Sequence, residues 1–187
     1  MSTLLTRLNQ NLEIPNIIGF STLAAIAYGI LHDLVTAHMN VEYFTIAHPP
    51  MFNTTSPILL AIGWGTVATW WVGLPLGILM AVAAQYGPMP KLRLVDIRRS
   101  VLLLMATSYV IAMISGVFGY LSITHGGGEP TNGWGCCIDR EIWAPFTFNS
   151  YAHMASYVSG ALGGLFLVGY TVARRYRLYC AAQATPA

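Results

Sequence analysis

Four long apolar stretches separated by short polar segments organise the chain. They run from about Ile14 to Ala37, Ile58 to Ala84, Val101 to Ile123 and Tyr151 to Ala173. A helix needs roughly 20 mostly apolar residues to cross the hydrocarbon core of a bilayer, and each stretch reaches that length. The expected fold is an all-α integral membrane protein, a single membrane domain over residues 1–187 with four transmembrane helices. Arg7 precedes the first stretch in the manner of a signal peptide, but the apolar run exceeds the roughly 7–15 residues of a cleavable signal core. It reads as a retained signal-anchor helix. Short connections favour antiparallel neighbours, so an up-down-up-down bundle is the simplest arrangement.

Small residues recur along two of these stretches. Ala152, Ser156, Gly160 and Gly164 repeat every four residues in the fourth, and Ser21, Ala25 and Gly29 do so in the first. Such stripes let a second backbone approach, either within the bundle or from another subunit. The second stretch carries Gly63, Gly65, Gly73 and Gly77 around Pro75, a pattern that predicts a kink or local unwinding. Beyond Arg177 the chain reads as a frayed terminus.

Charge sets the expected orientation. Arg7 lies before the first span; Lys91, Arg93, Arg98 and Arg99 fill the link between the second and third; Arg174, Arg175 and Arg177 follow the fourth. Only Arg140 falls on the opposite side. By the positive-inside rule both termini are cytoplasmic, and the loops at 38–57 and 124–150 face outward. In a bacterium this describes a multi-pass inner-membrane protein, N-in and C-in, with the lipid bilayer as its first partner.

Composition agrees with that class and removes others. Of the 187 residues, 55% are hydrophobic and 9% charged, whereas a soluble domain carries about 25% charged residues. A formal charge of +2 is too small for a nucleic-acid footprint, so no nucleic-acid partner is expected. The three cysteines, Cys136, Cys137 and Cys180, exclude a disulfide-stapled scaffold. On this topology the adjacent Cys136 and Cys137 face the oxidising side. They can form a vicinal disulfide, bind a soft metal, pair with another chain, or remain partly buried thiols. Cys180 lies on the reducing side. The glycines at 126–128 read as turns, because no P-loop lysine accompanies them. The segment Glu141–Phe148 reads as an interfacial belt, and Trp64, Trp70, Trp71, Tyr109 and Tyr120 as anchors and packing groups.

All five histidines fall at the opposite end from the basic residues. His32 is near the outer end of the first span, His38 and His48 lie in or beside the first outer loop, His125 opens the second, and His153 starts the fourth span. Asp33 and Glu42 stand among the first three. At 100° per residue, His32 and Asp33 continue the Ser21/Ala25/Gly29 face and should look into the bundle. His153 lies seven residues before Gly160, hence on nearly the same face, and should also look inward. Imidazole and carboxylate donors suit Fe, Cu, Zn or Mn, and His32, Asp33, Glu42, His48 and His153 form the candidate ligand set. Read one by one, each histidine also fits an interfacial hydrogen-bonding role. Asp33 likewise fits a bond to Thr36 or nearby backbone, and Glu42 a place in water.

The segment Tyr28-Gly29-Ile30-Leu31-His32-Asp33-Leu34-Val35-Thr36-Ala37, followed by Val41-Glu42-Tyr43-Phe44-Thr45 and His48-Pro49-Pro50, resembles a group of uncharacterised bacterial four-span membrane proteins. Their pattern Y-G-I-x-H-D-x-x-T-A, then E-Y-F-T and H-P, is joined by a later A-H-x-A-S-Y, matched here by Ala152-His153-x-Ala155-Ser156-Tyr157. The resemblance brings no activity with it. It points to His32, Asp33, Glu42, His48 and His153, while His38 stands where the pattern has another residue.

Several functions fit these features. A metal-dependent protein, redox-active or hydrolytic, would use the His/carboxylate cluster at the outer face, with Tyr43 and Thr36 supporting it. A single haem b between His32 and His153 is a variant of that idea. A non-catalytic accessory or scaffold subunit, in a homo-oligomer or a larger membrane complex, would use the small-residue stripes, with the cluster as a hydrogen-bonded staple. A small transporter would use Pro75 and its glycines, although the second and third spans lack ionisable core residues. The orientation is directly testable. In intact bacterial cells treated first with a membrane-impermeant reductant, a membrane-impermeant maleimide should label Cys136 and Cys137 but leave Cys180 unlabelled until the membrane is opened. The opposite pattern would reverse the topology.

Overall fold

The computed structural model describes residues 2–184, with side-chain detail from Leu12 onward except at 131 and 132. The side chain of Arg7 thus lies outside the described residues. Among these residues the chain is helical, without strands, and four of its helices are long and apolar enough to cross a membrane. The elements are α1 (Ser2–Met39), α2 (Glu42–Ile46), α3 (Pro57–Gln85), α4 (Leu94–Thr124) and α5 (Trp143–Ala184). Two 3-10 turns, Thr131–Cys136 and Arg140–Ile142, punctuate the loop before α5. The histidines lie at the end where α1 and α4 stop and α3 and α5 start; apart from Arg140, the lysine and arginine residues gather at the other.

Both ends of α5 depart from expectation. It begins at Trp143 rather than near Tyr151, so the segment expected as an interfacial belt is mostly its first two turns. Phe146 and Phe148 are buried there. Pro145 is tolerated because the first turn of a helix needs no intrahelical N–H donor. At the other end α5 runs on through Leu178, Tyr179 and Cys180 to Ala184, where fraying was expected. No glycine or proline interrupts those residues.

The helices form two antiparallel hairpins laid side by side. Dense contacts join α1 to α3 and α4 to α5, sparser ones join α3 to α5 and α1 to α4, and α3 barely touches α4. Consecutive spans two and three are thus not packed neighbours, although a short link joins them. Arg175 of α5 holds that link. Its buried guanidinium donates to the carbonyls of Ala83 and Tyr86 at 2.7 and 2.8 Å, and of Met89 and Pro90 at 2.9 and 2.7 Å. The end of α3 and the link beyond it are therefore anchored on α5. The same bonds satisfy carbonyls that the end of α3 would leave orphaned. Glu13 ties α1 to α4 nearby, accepting from the Leu94 N–H at 2.8 Å and from Arg93 Nε at 3.1 Å. Ile17, Met80, Ile97, Val101 and Leu167 fill the core between these ties.

Glycine permits the closest approaches. At the α1–α3 crossing, a Cβ on Gly29 would overlap the Gly65 carbonyl oxygen, and one on Gly65 would lie 2.5 Å from the Ile30 nitrogen. Ser21 and Ala25 pack against Gly77 and Gly73 on the same seam. In the other hairpin, Gly116 and Gly119 receive the rings of Phe148 and Tyr151. The α5 stripe behaves differently from its sequence expectation. Gly164 meets Leu76 of α3, but nothing lies within 4 Å of a Cβ built on Gly160. No backbone approaches there, because the two hairpins leave a gap at that level. Pro75, expected to loosen α3, sits on its exposed side within an uninterrupted helix.

These contacts separate two kinds of glycine. Gly65→Val should destabilise the protein by at least about 1–3 kcal/mol, the usual cost of overpacking. Gly19→Ala, with open space around its Cβ, should be neutral or stabilising by up to about 1 kcal/mol. Thermal unfolding in detergent measures both, and equal stabilities would contradict the α1–α3 seam.

Candidate metal centre

Near its end, α1 places two adjacent residues, His32 and Asp33, inside the bundle. Both are buried, and His153, ten residues into α5, is buried opposite them. His153 Nε2 lies 3.2 Å from Asp33 Oδ1. The rings of His32 and His153 meet edge to face with centroids 4.7 Å apart. One donor atom from each of the three residues falls within 4.8 Å of the other two. Three potential donor groups from two helices thus lie together at one point, an arrangement that could hold a metal ion.

The surrounding residues orient the set. His153 Nδ1 lies 2.8 Å from the Asn149 carbonyl, one turn earlier, and bonding there directs Nε2 toward Asp33. Asn149 itself reaches across to α1, its Nδ2 donating to the carbonyls of Thr36 at 2.8 Å and Asn40 at 3.2 Å. That bond pair locks the end of α1 to the start of α5, so the histidine and carboxylate sides of the site move together. Tyr28 stacks on His32 at 5.9 Å and bonds Ser156 at 2.7 Å. Tyr43 covers His153 from the loop, with ring centroids 4.8 Å apart.

His32 has no such support. Both of its ring nitrogens are buried without a hydrogen-bond partner. A neutral imidazole always carries one N–H donor, and leaving such a group unsatisfied costs about 1–3 kcal/mol. A cation accepting one nitrogen lone pair would remove half of that deficit. Beside these residues is a cavity of about 20 Å³, lined by His32, Asp33, His48, Trp64 and His153. This is room for one water-sized occupant and far too little for a porphyrin. The contact between the two imidazoles likewise leaves no space for a haem b plane between His32 and His153.

The other residues singled out in the sequence lie at varying distances from the cluster. His48 borders the same cavity, packed against Trp64 at 4.7 Å and Phe44 at 5.5 Å. Its Nδ1 is held by the Tyr43 carbonyl at 2.9 Å. Burial lowers the His48 pKa below the usual imidazole value, and burial also raises that of the Tyr43 phenol. His48 is therefore neutral at pH 7 and forms a wall of the cavity beside the three-residue cluster. Glu42 takes no part in the cluster, since α1 stops at Met39 and Asn40 Nδ2 binds its carboxylate at 2.7 Å. His38 is exposed and bonds its own helix at Leu34, while His125 bonds Thr124.

Asn149 and Tyr28 were not singled out by sequence reasoning. Each stands four residues before a cluster histidine, on the same helix face, and that spacing was the available signal. In the second loop, the Cys136 and Cys137 sulfurs lie 3.2 Å apart as exposed free thiols. Comparison with known proteins brings nothing further: no family model, curated protein or solved structure matches the chain.

Proposed function

We propose that this is a metal-dependent membrane protein holding one transition-metal ion at His32, Asp33 and His153. The single observation that carries this reading is the buried His32 ring, with both nitrogens unpartnered, beside the His153–Asp33 pair. An ionisable residue within a membrane span faces the bundle interior and finds a partner, and Asp33 has two imidazoles for company. Two histidines and one carboxylate with an open position are the donor set of mononuclear iron(II) oxidative centres and of hydrolytic zinc sites. The metal would supply Lewis acidity or an electron; the chain's own groups hold the donors and exclude water. The wall of Tyr43, Phe44, His48 and Trp64 would shield the open position from the loop side.

The lopsided distribution of basic residues supports an orientation with both termini cytoplasmic and the centre at the outer face. The resemblance of the first and fourth spans to bacterial sequences supports the bacterial inner membrane as its place. His48, which borders the same cavity, is the candidate partner of the metal's solvent or substrate rather than of the ion.

Metal analysis after reconstitution with Fe, Zn, Cu or Mn in turn tests the reading. Wild-type protein should retain one of them at close to one ion per chain. His32→Ala should weaken binding by more than the roughly 10–100-fold typical of losing an outer-shell partner, and His38→Ala should leave it unchanged. A folded wild type that retains no metal, or a His32→Ala variant that binds equally well, would defeat the proposal in favour of a non-catalytic accessory subunit.

A further inference from the structure

A second cavity lies directly below the cluster, in the gap between the two hairpins. It measures about 90 Å³, and all four long helices line it, among them Ala25, Val72, Leu76, Leu104, Ser108 and Gly160. It adjoins the metal centre, for Tyr28, Thr69, Ser156 and Tyr157 belong to the walls of both. The lining is mostly apolar. Ser21, Tyr28, Thr69, Ser156 and Tyr157 also bring hydroxyls, of which Tyr28 and Ser156 bond each other and Thr69 bonds the Gly65 carbonyl, whereas Ser108 is 1% exposed and its hydroxyl has no hydrogen-bond partner. Tyr157 and Ala161 are exposed on α5 and form part of the rim, which turns toward the lipid side of the helices.

We infer that this cavity is a binding site for a small, uncharged, largely apolar molecule of a few heavy atoms, carrying at most one hydrogen-bonding atom. Three features select that class. The volume is below the 150 Å³ or so of an apolar protein cavity known to take benzene or xenon, which limits the size. No charged side chain lines it, so an ion would be stranded. The unpartnered Ser108 hydroxyl offers one polar contact to an otherwise apolar guest. The four-residue stripe on α5 thereby gains a purpose other than helix packing, because Gly160 keeps the space open where any side chain would fill it. A guest that dissolves in hydrocarbon would enter past Tyr157 and Ala161 without crossing water. That the guest is also what the centre acts on rests on the metal reading; the existence of the site does not.

Xenon is a suitable probe, being small, uncharged and apolar. The experiment uses metal-free protein in lipid nanodiscs, so failure of the metal assignment leaves the readout untouched. Saturation-transfer xenon NMR should detect a saturable bound pool distinct from lipid-dissolved gas in the wild type. Gly160→Leu, which has open space for its Cβ, should abolish that pool while keeping its helix content. Ser108→Leu, filling the cavity from the neighbouring helix α4, should do the same and stands in should the first variant misfold. A wild type without a distinct pool, or a pool that survives in a folded cavity-filling variant, would overturn the inference.

Discussion

A carboxylate buried between helices long and apolar enough to cross a membrane is the constraint on which this structure turns. Asp33 cannot face lipid, and burying it without compensation would cost several kcal/mol. Its nearest partner is His153 Nε2, 3.2 Å away on another helix, which requires α1 and α5 to meet at one depth and rotation. Asn149 secures that depth through its bonds to Thr36 and Asn40. The glycine seam draws α3 against α1, bringing Trp64 and the loop aromatics over the same point. At the far end Arg175 and Glu13 join the hairpins by polar bonds to backbone. The bundle is thus pinned at both ends and loosely filled in the middle, and the central cavity follows from that division.

Much of this was legible in the amino-acid sequence, for identifiable reasons. Hydrophobic length alone marks four helices, because a hydrocarbon layer admits little else. Helical periodicity turns His32, Asp33 and His153 inward, since each shares a face with small residues. What escaped was set by contacts between segments distant along the chain. Arg175 looks like one more basic residue after a span, yet it binds four carbonyls at the end of α3 and in the α3–α4 link. Gly160 looks like a packing residue, yet it faces a gap. A stripe of small residues records that something needs room; only the neighbouring helix decides whether that something is backbone or open space.

The candidate ligands divide in the same way. The helical pair and His153 are fixed by periodicity, and the bundle brings them together. Glu42 and His48 belong to a loop whose path depends on where α1 stops and on which aromatic rings stack. Proximity in sequence placed Glu42 beside the histidines, but Asn40 claims its carboxylate first. His48 instead contributes one side of a dry wall, consistent with a site whose open position faces a sheltered cavity.

X-ray absorption spectroscopy on the metal-loaded protein reads the donor atoms themselves. Two imidazole nitrogens and at least one carboxylate oxygen should surround a single ion, with one imidazole missing from His153→Ala. A spectrum dominated by sulfur would place the metal at Cys136 and Cys137, and a shell of water oxygens alone would make it adventitious; either would contradict the centre described above.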